Sequence, residues 1–176
     1  LLGPDQNIID AAEDRGKFSR LLKKLKISQP EGVDVASIEE ARKVGLELGY
    51  PLMIRPSFVI GGVAMKTVYS EEEMLEVLSE AFEAVSGQKV MVDRFLQGKE
   101  FECDAVCDGE DVLIPGIFEH IDPSGIHSGD SIAVFPSFSL SDEQKKKVLD
   151  TVKMISKELD IHGLLNIQFV LKDGIF

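Results

Sequence analysis

The stretch that decides the fold is GYPLMIRPSFVIGGVAM, residues 49–65, in which a pair of glycines lies between two short apolar segments. Residues 52–55 and 65–69 are predicted as strands, separated by a loop that contains the two glycines. The adjacent Gly61 and Gly62 let the backbone approach a ligand closely and can direct N–H groups at an anion. Arg55 ends the first strand and can add a bidentate phosphate contact. A plain hairpin loop accounts for the same residues, so both alternatives stay open here.

The segments around this stretch predict an α+β chain. Capping boxes start helices at Ser37, Ser70 and Ser141, with Glu40, Glu73 and Gln144 three residues later. A further helix is predicted over residues 6–26, capped by Asp5, from apolar residues spaced three and four apart. The other predicted strands cover residues 33–35, 89–95, 100–107, 112–121, 132–135 and 164–172. This mixture of hairpins and crossovers favours α+β over a doubly wound parallel sheet.

The predicted domain organisation has three parts. Residues 1–30 form a leading helix and linker, residues 31–96 a smaller lobe with the glycine loop, and residues 97–176 a larger lobe. A turn at Asp173-Gly174 demands a returning strand, yet only Ile175 and Phe176 follow it. The chain also opens on Leu-Leu-Gly-Pro without an initiator Met. We therefore expect it to start inside something larger, or to be processed, and to be incomplete at its C-terminus.

Composition excludes several classes of function. Nineteen Lys and Arg against 31 Asp and Glu give a formal charge of −12, which disfavours nucleic-acid binding but not binding of a small nucleotide. No apolar run is long enough to span a membrane. Cys103 and Cys107 are the two cysteines and make no disulfide framework, so a cytoplasmic location is expected and both are predicted as core residues.

Polar residues recur on the strands and loop of the second half. Glu100 and Glu102 alternate on one strand face and are followed by Asp104, which suits either a solvated face or a metal ion or ribose held between carboxylates. Asn166 and Gln168 face the same way on another apolar strand, which makes Gln168 a site candidate because buried amides need partners.

The histidines are ambiguous from their local sequence. His127, Ser128 and Asp130 do not form a triad, since no G-x-S-x-G elbow surrounds the serine. His127 can donate to a phosphate or carboxylate, although the local sequence favours a surface turn for this loop. His120 and His162 are predicted to be structural.

Four segments in this order closely resemble the large subunit of carbamoyl-phosphate synthetase: AAEDR at 11–15, GYPLMIRPSFVIGG at 49–62, GIHSGDS at 125–131 and LNIQF at 165–169. The resemblance covers essentially the whole chain. VIGGVAM, residues 59–65, is most similar to the C-terminal module of that subunit, which phosphorylates carbamate. The resemblance implies an ATP-grasp fold, in which two α+β lobes hold ATP between them, C-terminally truncated here.

The resemblance also implies a role for individual residues. By role, they are the phosphate-contacting Arg15 and Arg55, of which Arg55 is also catalytic through charge neutralisation; the loop glycines Gly61 and Gly62; Arg94 and Leu96 on the hinge strand that reads adenine through its backbone; Glu100 at the ribose; Gly125, Ile126, His127 and Ser128 beside ribose and phosphate; and Gln168 as a ligand of Mg²⁺ or Mn²⁺.

Two departures from the family pattern bear on activity. Val63 stands where the family usually has an arginine beside the phosphates. The remaining metal ligands of the family lie in an I-E-x-N-P-R segment just beyond the turn at Asp173-Gly174. We therefore expect that the fragment alone does not make carbamoyl phosphate.

The function implied for the full enzyme is an ATP-dependent ligase reaction. Carbamate attacks the γ-phosphoryl group of ATP, which gives carbamoyl phosphate and ADP. The implied partners are ATP, carbamate and a glutaminase small subunit, and a homo-oligomer is left open, as is service in arginine or pyrimidine synthesis. The alternatives are another ATP-grasp ligase or carboxylase, an inactive nucleotide-binding fragment, and a purely structural α+β domain.

Overall fold

The computed structural model describes residues 3–56, 65–84, 89–125 and 131–176, which divide into two compact units. One unit is Pro30–Leu96. The other joins Leu1–Gln29 with Gln97–Phe176, so the leading segment clusters with the C-terminal part of the chain. Each unit contains an antiparallel sheet and at least one helix. Among the described residues, no helix is both long and apolar enough to cross a membrane.

The leading segment forms two helices, α1 (Gln6–Glu13) and α2 (Arg15–Leu25), where the sequence predicted one helix over residues 6–26. The prediction of a single helix was wrong, because Asp14 interrupts it. The Asp14 backbone is extended, and its side chain accepts a hydrogen bond of 2.8 Å from the Lys17 N–H. Aspartate gains more by capping a helix than by continuing one, since its side chain competes for backbone donors.

The unit Pro30–Leu96 is built on a four-stranded antiparallel sheet in the order β1-β4-β2-β3. Its buried core lies between the sheet and the helices and includes Val35, Leu52, Ile54, Val90 and Val92 from the strands. The elements of this unit are β1 (Gly32–Val35), α3 (Ile38–Leu48), β2 (Leu52–Pro56), β3 (Lys66–Val68), α4 (Glu71–Ala84) and β4 (Val90–Arg94).

The predicted capping boxes start both helices of this unit. Ser37 Oγ accepts from the Glu40 N–H at 3.2 Å, and Ser70 Oγ accepts from the Glu73 N–H at 3.2 Å. The two glutamates reach back to backbone N–H groups ahead of each helix, at 2.8 Å and 2.7 Å. These bonds satisfy N-terminal donors that a helix cannot pair internally, which is why so short a sequence signal fixed the boundaries.

The second unit has a five-stranded sheet with β5 at its centre. Strand β9 pairs along the whole of β5, and β6 and β7 pair with the two ends of its other edge. Strand β8 extends the sheet beyond β7. The elements are β5 (Lys99–Asp108), β6 (Val112–Leu113), β7 (Phe118–His120), β8 (Ala133–Val134), α5 (Asp142–Glu158) and β9 (His162–Leu171).

The prediction of a single returning strand over residues 112–121 was wrong, because this segment is divided into β6 and β7. Pro115 has no N–H to donate to a ladder. At Gly116 a Cβ atom would lie 2.5 Å from the Phe135 ring, so the ring occupies the space beside the backbone there. The break releases this segment from β5 before it pairs again at Phe118.

Strand β5 separates an apolar face from a polar one. Phe101, Cys103, Ala105 and Cys107 are buried in the core beside α5 and β9, as predicted for the cysteines. Burial, followed by the neighbouring Asp104 carboxylate, raises the pKa of the Cys103 thiol to about 11. Because side chains alternate along a strand, the residues between these four face the opposite side.

Candidate functional site

The polar face of this sheet combines carboxylates from β5 with amides from β9. Glu102 lies opposite Gln168 in the strand register, and Asp104 lies opposite Asn166. Glu100 occupies the same face one step earlier along β5. The predicted shared orientation of Asn166 and Gln168 is therefore confirmed, and the pairing brings Gln168 next to the carboxylate row.

An amide separates two of the carboxylates. The Asn166 Nδ2 group donates to Glu102 Oε1 at 2.5 Å and to Asp104 Oδ1 at 2.7 Å. An NH₂ group has two donors, so one side chain satisfies both oxygens. The sequence suggested that a metal ion or a ribose would relieve the repulsion here, but between Glu102 and Asp104 the asparagine does so.

His120 lies between Glu102 and the third carboxylate, Glu100. Its Nε2 atom is 3.2 Å from Glu102 Oε2, and its Nδ1 atom is 3.0 Å from Ser131 Oγ and 4.0 Å from Glu100 Oε2. The histidine side chain is 2% exposed. A neutral ring that donates from Nε2 to Glu102 and accepts at Nδ1 from the serine hydroxyl satisfies both contacts.

Sequence reasoning assigned His120 only a structural role and so missed its place in the site. Its position in the register of β7 and β8, opposite Ala133, puts it on the same side of the sheet as Glu100 and Glu102. The available signal was weak: Glu119 and His120 are adjacent polar residues in the otherwise apolar segment 112–121, and burial requires each to have a partner.

Glu100 holds the beginning of the GIHSGDS loop. Its Oε1 atom accepts a hydrogen bond of 3.0 Å from the Gly125 N–H. The preceding residue, Ser124, is buried, and its hydroxyl accepts from the Gly98 N–H at 3.2 Å. Two predicted site residues, Glu100 and Gly125, are thus in direct contact, although they are 25 positions apart. Ile126, His127 and Ser128 lie outside the described residues.

A second buried carboxylate faces away from this site. Glu119 is opposite Phe101 and is 1% exposed. Burial acts to raise its pKa, but the Ser139 hydroxyl and N–H, the Phe138 N–H and the Lys99 ammonium outweigh burial and lower the pKa below its ordinary value. Its Oε2 atom accepts from Phe138 N at 3.0 Å and Ser139 N at 2.9 Å, so it fastens the segment after β8.

The remaining predicted residues lie elsewhere in the chain. Arg55 is on β2, where its guanidinium is paired with Asp93 of β4. Arg94 ends β4, and its backbone N–H donates to the Glu31 carbonyl at 2.8 Å. Leu96 is the last residue of the unit Pro30–Leu96, and Arg15 opens α2 of the other unit. Gly61, Gly62 and Val63 lie outside the described residues.

The described residues do not by themselves complete a metal centre. In this part of the chain, no group of three or more His, Cys, Asp or Glu side chains is arranged to hold a metal ion. Gln168 offers an amide carbonyl, an oxygen ligand of the kind that Mg²⁺ accepts. Any ion bound there would need further oxygens, and the phosphates of a nucleotide are one source of them.

Comparisons with known proteins agree on one family. The family model described as "Carbamoyl-phosphate synthase L chain, ATP binding domain" matches residues 14–175. The carbamoyl phosphate synthase large chain of Thermoanaerobacter pseudethanolicus is 45% identical over 174 residues, which are 99% of this chain and 16% of that relative. The large chain of Clostridium perfringens is also 45% identical, over 173 residues. The chain therefore spans about a sixth of the length of these relatives.

Solved structures identify the fold. D-alanyl-alanine synthetase A from Vibrio cholerae aligns with a TM-score of 0.85 at 15% identity, over 99% of this chain and 56% of that one. The biotin carboxylase domain of 2-oxoglutarate carboxylase from Hydrogenobacter thermophilus, solved with MgADP, ADP and bicarbonate, aligns with a TM-score of 0.83 at 20% identity, over 99% and 40%. These similarities confirm the predicted α+β ATP-grasp fold.

Proposed function

Because the chain belongs to the family of carbamoyl-phosphate synthase L chain ATP-binding domains, we propose that its polar sheet face is part of an ATP site. The observation that carries this proposal is the contact between Glu100 and the Gly125 N–H. It joins a strand carboxylate to a glycine-rich loop that contains a histidine and two serines. Both partners are residues for which the sequence resemblance implied nucleotide contacts.

The proposal gives each part of the site a distinct task. One Glu100 oxygen accepts from Gly125, which leaves the second oxygen of the carboxylate to accept from ribose hydroxyls. Gly125, Ile126, His127 and Ser128 then line ribose and phosphate. Gln168 would supply an oxygen ligand to Mg²⁺ or Mn²⁺, and the bound ion would neutralise phosphate charge.

Residues of the unit Pro30–Leu96 complete the proposed set. Gly61 and Gly62 offer backbone N–H groups to the phosphates, and Arg55 adds a fixed positive charge. The backbone of Arg94 and Leu96 reads the adenine, and Arg15 of the other unit adds a second phosphate contact. No covalent nucleophile is needed, because phosphoryl transfer depends mainly on positioning and on neutralising charge.

For a longer protein that contains this chain, we propose the carbamoyl-phosphate synthase reaction, in which carbamate is phosphorylated by ATP. The support is the 45% identity to large chains of that name. Carbamate as the acceptor, a glutaminase small subunit as partner and a cytoplasmic location belong to the same proposal. The similarity of VIGGVAM, residues 59–65, to the C-terminal module favours carbamate over bicarbonate.

Calorimetric titration with ATP, with and without MgCl₂, tests the nucleotide site. We expect saturable binding that strengthens with Mg²⁺, and much weaker binding of GTP because the backbone of the hinge strand reads adenine. Glu100→Gln is expected to weaken ATP binding about tenfold, because a charge-assisted hydrogen bond to ribose contributes about 1.5 kcal/mol or more. Absence of ATP binding in a folded chain would refute the proposal.

A nucleotide without ribose hydroxyls tests the role of Glu100 separately. With 2′,3′-dideoxy-ATP, the Glu100→Gln variant and the parent chain should bind almost equally. If the variant loses as much affinity for the dideoxy nucleotide as for ATP, Glu100 does not bind the ribose. Thermal unfolding of the variant is the control, since its remaining hydrogen bond to Gly125 should keep the loop in place.

A further inference from the structure

Arg55 lies on the face of the four-stranded sheet that points away from the helices. Leu52 and Ile54 of β2 are fully buried in the core, so Met53 and Arg55 face the other way. On β4, Val90 and Val92 are in the core, and Asp93 shares the outer face with Arg55. Despite this position, Asp93 is only 4% exposed.

One oxygen of Asp93 holds two donors of the guanidinium. Arg55 Nε is 2.6 Å from Asp93 Oδ2, and Nη2 contacts the same oxygen. Asp93 lies opposite Met53 in the register, so the pair is diagonal across the two strands. Two contacts to one oxygen fix both the position and the plane of the guanidinium. Of the five N–H donors of an arginine, this contact uses two, and the others are compatible with a phosphate.

Gly32 provides the space for the carboxylate. It lies opposite Asp93 on the neighbouring strand β1. A Cβ atom at Gly32 would be 1.9 Å from Asp93 Oδ1 and 2.9 Å from Cγ, but 3.2 Å from the Asp93 Cα. An added methyl group would therefore displace the carboxylate much more than the strand. Glycine is required here for close approach, because only its missing side chain leaves room.

We propose that Asp93 is a positioning residue for Arg55, and that Gly32 keeps the space in which Asp93 does this. A buried carboxylate is costly unless it is paired, so the pair keeps Arg55 in one orientation before any ligand arrives. An oriented arginine loses less side-chain freedom when it binds a phosphate. This inference rests on the proposed ATP site and adds to it a source of preorganisation that does not itself touch the nucleotide.

A double-mutant cycle on ATP affinity tests the proposal. Arg55→Ala is expected to weaken ATP binding about 10- to 150-fold, the range for losing a hydrogen bond to a charged group. Asp93→Asn should weaken binding about 5- to 30-fold in the parent chain, but less than about twofold in the Arg55→Ala background. Gly32→Ala, which keeps both charges, should also weaken binding, and only while Arg55 is present.

Two controls separate positioning from stability and from net charge. Asp34→Asn removes one negative charge from the outer face of β1, two residues from Gly32, and should leave ATP affinity unchanged. The Arg55 Nε–H resonance in ¹⁵N NMR spectra, assigned by its loss in Arg55→Ala, should move in Asp93→Asn and in Gly32→Ala. If Asp93 is purely structural, Asp93→Asn will lower the urea midpoint, but it will have no effect on ATP affinity that depends on Arg55.

The outcomes distinguish this inference from the proposed function. If the folded parent chain binds no ATP, the proposed function fails and this role of the pair fails with it. Suppose instead that the parent binds ATP and that Arg55→Ala weakens binding. If Asp93→Asn then leaves ATP affinity unchanged, or weakens it equally in the Arg55→Ala background, only the inference about Asp93 is wrong. Should Asp93→Asn not fold, Gly32→Ala decides, and parent-like ATP affinity in that variant would overturn the proposal.

Discussion

Asn166→Asp is the sharpest test of the carboxylate cluster, because it changes a charge and almost no volume. The substitution replaces an NH₂ donor, 2.5 Å from Glu102 and 2.7 Å from Asp104, with a carboxylate oxygen. Two hydrogen bonds become two contacts between like charges. At pH 7 we expect the free energy of unfolding to fall by about 2 kcal/mol.

The magnitude follows from two contributions. Each lost hydrogen bond contributes about 0.5–1.5 kcal/mol. Two unit charges about 2.7 Å apart repel by about 1.5 kcal/mol in bulk water, and the variant would have two such contacts. Because Asn166 is exposed, the new carboxylate can rotate into solvent, which lowers this repulsion. Solvent screening reduces this second contribution further. The expected loss of unfolding free energy is therefore about 2 kcal/mol, which is below the sum of the lost hydrogen bonds and the unscreened repulsion.

Urea unfolding at several pH values is the assay. Protonation of one of three clustered carboxylates relieves the repulsion, so the folded variant binds protons more readily than its unfolded chain. Its deficit relative to the parent should shrink as the pH falls from 7 towards 4, and also with added salt. Asn7→Asp, at the start of α1, is the matched control for an added charge and should lose no stability. Equal stabilities of parent and Asn166→Asp at pH 7 would refute the clustered geometry.

Three further predictions concern other parts of the fold. Glu119→Gln should destabilise the chain at pH 7 and progressively less below about pH 4. The pKa of Glu119 is lowered in the folded state, so its contribution to stability is present above its unfolded pKa and is lost as the pH falls through its folded pKa. A pH-independent loss of stability in urea unfolding would contradict this. Asp14→Ala should let α1 and α2 approach one continuous helix, in which the Lys17 N–H donates to the Glu13 carbonyl instead of the Asp14 side chain. Continued protection of the Lys17 amide from exchange would agree, whereas unchanged helix boundaries in NMR chemical shifts would not. Cys103, with its pKa raised to about 11, should react with a thiol reagent at pH 8 only in urea, and rapid labelling of the folded chain would be inconsistent with its burial.

Local sequence signals predicted the elements whose stability is local. Each capping box at Ser37, Ser70 and Ser141 involves a residue and its partner three positions later, so the sequence contains the whole interaction. The alternation along β5 likewise predicted which residues enter the core, because a strand has a period of two. The resemblance to a known family rested on four segments whose order and spacing were visible without a structure.

The sequence did not predict the interactions that depend on strand register. The contact between Asn166 and Glu102 spans 64 positions, and that between Arg55 and Asp93 spans 38. Which residues meet across a sheet depends on pairing, and a shift by one residue would put each of them on the opposite face. The amino-acid sequence alone therefore determined the α+β class, the helix starts and the polar character of the strands. The tertiary structure decided which carboxylate meets which amide, histidine or arginine, because packing of the buried faces selects a single register.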